Sequence, residues 1–79
     1  MDGQIRERAG CGVKDRGEWV RRCAERFRQI VVVTWEEAEA LAWDCAGDEA
    51  RERGPDPAGW RDPEEVASED VRAWCGRRA

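Results

Sequence analysis

The most reactive side chains in this 79-residue chain are four thiols, Cys11, Cys23, Cys45 and Cys75. Thiolates bind zinc and exchange disulfides, so their spacing matters first. The four are widely separated, no two form a C-x-x-C pair, and the chain contains no His. Structural zinc ordinarily needs close ligand pairs, so this spacing argues against a metal centre. Cys23, Cys45 and Cys75 fall instead on the apolar stripes of three different predicted helices. A free Cys is a small, deeply buried hydrophobe, and these three are expected to meet in the core. Cys11, between Gly10 and Gly12, is the expected exposed thiol.

Acid–base chemistry has little to draw on. Without His the commonest general base and metal ligand is missing. There is no Tyr, and the sole Lys is Lys14. The only hydroxyl side chains are Thr34 and Ser68, and both stand where they can cap a helix. No glycine-containing stretch has the pattern of a phosphate-binding loop. Carboxylates adjoin at Glu36–Glu37, Asp48–Glu49 and Glu64–Glu65, which reads as solvated helix surface. No catalytic residue, cofactor or metal is expected.

The elements that must position these side chains announce themselves by their caps. Asp15, Thr34 and Asp62 are each followed three residues later by Glu, the spacing of a capping box. Pro63 adds a proline at a first helical position, where its missing N–H costs nothing. The first helix is predicted from about Arg16 to Gln29, with Trp19, Cys23, Phe27 and Ile30 in one stripe beside Val20, Ala24 and Val31. The second runs from Trp35 to about Arg53, with Gly54 as a left-handed cap and Pro55 blocking continuation. Its core face holds Ala38, Leu41, Ala42, Cys45 and Trp35, and its many alanines suggest close approach of another helix. The segment from Gly54 to Trp60 reads as a turn-rich loop whose Trp60 folds back to plug the core. The last region starts at Pro63 and ends near Cys75, with Gly76 as the stop and Val71, Trp74 and Cys75 facing inward. Ser68-Glu69-Asp70 is itself a helix start, so this region is one helix or two short ones. Four β-branched residues at 30–33 form either a short strand or a buried connection; a strand would pair with residues 4–7 or 12–14. The expectation is a mainly α single domain over 1–79, of three or four helices, with residues 1–12 flexible. An α+β fold is the alternative.

The core has unusual material. There are five Trp, one Phe and a single Leu, so it must be built from Trp, Val, Cys and Ala. A domain this small cannot bury all five rings, and at least one Trp is expected at the surface. No stretch is long or apolar enough to span a bilayer. The polar N-terminal residues do not resemble a secretory signal, which places the chain in a reducing cytosol.

Charge is distributed unevenly. Met1–Gln29 carries eight basic residues against five acidic. Trp35–Arg53 carries seven acidic against two basic, a net of −5, and Arg61–Asp70 five acidic against one. Some of these carboxylates answer the helix macrodipole at helix starts. On a helical wheel Trp43 points away from the Ala38/Ala42/Cys45 face. Glu36, Glu39 and Asp44 lie around it. An aromatic anchor among carboxylates is the composition expected where a basic protein docks. The alternatives are that Trp43 packs within the chain or closes a homodimer, so monomer and homodimer both stand.

A very short, acidic, Trp-rich chain without catalytic residues resembles the small accessory and inhibitor proteins of phages and mobile elements, anti-CRISPR proteins among them. The resemblance is one of size and composition. It implies stoichiometric inhibition in a host bacterial cytoplasm, for instance by occupying the basic DNA-binding channel of a CRISPR effector. The leading expectation is thus a non-enzymatic binder whose site is Glu36, Glu39, Trp43 and Asp44. Direct nucleic-acid binding through the basic 16–28 helix is the first rival, though Glu18 and Glu25 dilute its field. A phage assembly subunit is the second.

Overall fold

In the computed structural model of the protein, the backbone is described over residues 12–78 and the side chains over residues 12–74. Asp15 starts the first helix, α1 (Arg16–Ile30), by accepting a hydrogen bond from Gly17 N at 3.1 Å. Thr34 starts α2 (Trp35–Arg53) with a complete capping box. Its hydroxyl accepts from Glu37 N, and the Glu37 carboxylate accepts from Thr34 N. Gly54 ends α2 at φ 99°, a value that side chains resist and glycine adopts freely. A single 3₁₀ turn at Pro57–Gly59 follows, capped by Asp56, and α3 spans Pro63–Arg78.

The described residues contain no strand, so the mainly α expectation holds and the α+β alternative does not. α1 runs on through Ile30, and Val31 is extended at its C-cap. Extended β-branched backbone forms a strand only beside a partner. The described candidate is used otherwise: Gly12 N bonds Ala58 O, and Val13 is buried in the core. The other candidate partner, residues 4–7, lies outside the described residues, as does the expected flexible N-terminus. Ile30, expected in the core stripe, is 42% exposed as the last residue of its helix.

α3 is continuous, against the expectation of a stop at Gly76 and the option of two pieces. The Ser68 hydroxyl explains the second point. It donates to Glu64 O one turn back at 2.9 Å, which engages it inside the helix instead of starting a new one.

α1 packs along both other helices, while α2 and α3 touch only sparingly. The core therefore gathers on α1. Trp19, Cys23, Ala24 and Phe27 meet Ala38, Ala42, Cys45 and Ala46 from α2 and Val66 and Ala67 from α3. Trp60 reaches in from the loop as anticipated. It is fully buried, edge-on to Trp19 with ring centroids 5.2 Å apart. Both indoles are satisfied: Trp19 Nε1 donates to Arg61 O at 2.9 Å and Trp60 Nε1 to Gly54 O at 2.8 Å. Trp74 stacks on Phe27 at 5.8 Å and 13°. Burying a ring of this size stabilises by up to about 4–6 kcal/mol in area terms. Two such rings stand in for the leucines the chain lacks.

Candidate docking surface

Ion pairing sorts the charge of this molecule into used and unused. Arg22 of α1 forks onto Glu64 of α3, with Nε and Nη2 at 2.9 and 3.0 Å from the two carboxylate oxygens. Burial alone would raise the Glu64 carboxyl. The hydrogen bonds and charge of Arg22 outweigh burial and hold it below the ordinary carboxylate range. Arg21 pairs with Glu25 on its own helix. Arg26 donates to Ser68 and Gln29. The basic helix thus spends much of its charge inside the molecule.

A second knot joins α2 to the loop. Glu49 is 1% exposed, which corrects the reading of this carboxylate as solvated surface, while Asp48 beside it is exposed. Its Oε1 accepts from Arg61 N and Arg53 Nε at 2.9 and 3.0 Å. Its Oε2 accepts from Arg61 Nε and Nη2 at 3.2 and 3.1 Å. Four donors fill the lone-pair sites of a carboxylate, so Glu49 has none left for a substrate proton. Burial pushes this carboxyl up. The Arg61 hydrogen bonds and the Arg61 and Arg53 charges win, and it stays below its ordinary value. Arg61 completes the knot with Glu69 of α3 at 2.6 Å. A signal for this burial exists in the sequence, since Glu49 follows Ala42 and Cys45 by seven and four residues and so continues their stripe.

The knot lines a cleft of about 220 Å³ between α2 and α3, with Asp48, Glu52 and Asp70 on its walls and Cys45, Val66 and Ala73 among its apolar atoms. Cys45 and Cys23 are free and buried. Their sulfurs are hydrogen-bonded, and that bond together with burial drives the Cys23 thiol far above its ordinary value. Two of the three cysteines expected in the core are therefore there. Cys11 and the side chain of Cys75 lie outside the described residues, and no His/Cys/Asp/Glu group suited to a metal occurs among the described ones.

The four residues singled out from the sequence lie on the outer side of α2. Ala40 is exposed and stands opposite the Ala38/Ala42/Cys45 core face. Glu36, Trp43 and Asp44 are its neighbours at i−4, i+3 and i+4, and all three are exposed, Trp43 by 48%. Glu39, one turn before Trp43, is half-buried. Among the described residues none of these carboxylates makes an ion pair, in contrast to Asp48, which Arg51 holds. On its other side Trp43 adjoins a shallow hollow lined by Arg16, Ala46, Gly47 and Ala50. Sequence reasoning missed that hollow, because alanine and glycine on a wheel do not distinguish a floor from open surface. No helix of the described chain is long and apolar enough to cross a membrane. Comparison with protein-family models, with curated proteins and with solved structures finds no match to this chain.

Proposed function

We propose that the protein acts by binding, without chemistry of its own, and docks on a basic, nucleic-acid-binding partner protein as a stoichiometric inhibitor. The supporting observation is the unequal pairing of charge. Arg21, Arg22 and Arg26 of α1 are engaged by carboxylates and a hydroxyl within the fold, whereas Glu36, Glu39 and Asp44 of α2 surround an exposed Trp43 with no cation of their own among the described residues. Unpaired carboxylates present the charge of a nucleic-acid backbone, and a basic channel built for phosphates attracts them. Trp43 supplies the apolar anchor that long-range charge cannot. A CRISPR effector, with its basic DNA-binding channel, is the kind of partner this composition fits, in a bacterial cytoplasm. The rival in which α1 grips DNA is disfavoured, because Arg21, Arg22 and Arg26 already have partners.

Native-gel titration against purified effector complexes tests the proposal. A one-to-one complex that excludes DNA, weakens with salt and is lost on combining Trp43→Ala with Glu39→Arg is the expected result. A complex that survives both substitutions contradicts the site. Absence of any complex at low salt contradicts the function.

A further inference from the structure

Trp43 and its hollow lie on one strip of α2. The ring is 48% exposed, and the hollow beside it, about 100 Å³, is lined by Ala46, Gly47, Ala50 and Arg16. The chain thus carries a knob and an unfilled hole side by side on one helix face. Charge runs along the same strip. Glu36 and Glu39 precede Trp43, and Arg16 borders the hollow. Arg16 lies over the Trp60 ring at 5.8 Å and has no carboxylate partner among the described residues.

We infer that this strip is self-complementary and that its occupant is a second copy of the chain. The two α2 helices pack antiparallel about a two-fold axis near Ala46 and Gly47, and each Trp43 ring seats in the hollow of the other copy. A two-fold interface requires one patch to supply both knob and hole, and this one does. Trp43 and Ala50 are seven residues apart, about 10 Å along the helix. An axis midway between them brings each Trp43 to the other copy's Ala50. The same rotation carries Glu39 of one copy toward Arg16 of the other. A parallel packing would set carboxylate against carboxylate. Ala46, Gly47 and Ala50 leave room for the helices to approach closely. The dimer covers Trp43 and so competes with a basic partner for the same face. It stands on the strip alone and does not rest on the proposed function.

Sedimentation equilibrium of the full chain, from micromolar to millimolar concentration, tests this. The mass is expected to rise from 9.0 kDa to twice that value. Gly47→Leu is the decisive variant. A Cβ at Gly47 meets nothing within 4 Å, so the fold tolerates it while the hollow fills. It is expected to weaken the dimer at least about tenfold, the loss typical of an interface hot spot, with helix content by circular dichroism unchanged. Arg16→Glu and Glu39→Arg are each expected to weaken it, and the two together to restore it. A mass of 9.0 kDa throughout overturns the inference. So does a dimer that Gly47→Leu leaves unchanged, or one that the paired charge swap fails to restore.

Discussion

Arg22 and Glu64 meet as a two-bonded fork, 2.9 and 3.0 Å, that fastens the basic first helix to the acidic last one. They lie 42 residues apart in sequence. Planar guanidinium against planar carboxylate is the strong form of an ion pair, because both bonds share one geometry. Through it α1 and α3 neutralise one charge on each other, while α2 carries a net charge of −5.

The fork itself can be measured. Both side chains are about a third exposed, so solvent screens the pair and its coupling is expected at about 0.5–1 kcal/mol. A double-mutant cycle with Arg22→Ala and Glu64→Ala, followed by urea unfolding, reads that coupling. Arg22→Glu alone brings two carboxylates together. It is expected to cost more than Arg22→Ala, and combining it with Glu64→Arg is expected to recover most of the loss.

Glu49 has a larger stake, since it is buried and Arg61 depends on it. Glu49→Ala leaves the Arg61 guanidinium and its backbone N–H short of their acceptor. The expected loss is about 2–4 kcal/mol, toward the lower part of the range for breaking a buried pair because Arg61 is partly exposed. For a chain of this size that is a large share of total stability. Chemical denaturation of the wild type and Glu49→Ala gives the difference directly.

The same carboxylates set the acid limit of the fold. Folded Glu49 and Glu64 both lie below the ordinary value of 4.5. The unfolded chain therefore binds protons first as pH falls, and the stability these groups contribute is complete above that value and lost as pH drops through the folded ones. Thermal midpoints are expected to be flat near neutrality and to fall below about pH 4.5. Glu49→Gln is expected to be less stable at neutral pH, with its gap from the wild type closing as pH falls below about 4.5. A gap that widens in acid would reverse the sign of the argument.

The buried thiol pair makes a chemical prediction. A thiolate is the reactive form, and Cys23 is held protonated by the Cys45 hydrogen bond and by burial. Iodoacetamide is expected to leave Cys23 and Cys45 unmodified in the native protein and to label both in urea. Peptide mass spectrometry distinguishes the sites.

Much of this fold was legible along the chain, and the exceptions have physical causes. Asp15, Thr34 and Gly54 mark helix ends by chemistry that is local, so Arg16–Ile30 and Trp35–Arg53 follow closely from caps and stripes. The outward Trp43 is equally local, a matter of 100° per residue. Ser68 misled because its hydroxyl bonds back to Glu64 O within the helix instead of starting a new one, and α3 runs on past Gly76 to Arg78 because glycine lowers helix propensity without forbidding helix. Glu49 was hidden by its type: an adjacent acidic pair reads as surface unless its cation is seen, and Arg61 arrives from a loop 12 residues on. The Arg22–Glu64 fork was hidden by distance. Consequently the net charge of α1 overstated what that helix offers to solvent, and α2 emerged as the face to test.

The central claim is that the Glu36–Asp44 face of α2 receives a basic partner. Amide and indole chemical shifts of the isotope-labelled protein, followed during titration with a decameric arginine peptide, test it most directly. Saturable shifts confined to residues 36–44 and the Trp43 indole, abolished by salt and by Glu36→Arg with Glu39→Arg, are the predicted result. Shifts centred on the α2–α3 cleft or on α1, or none at low salt, would contradict it.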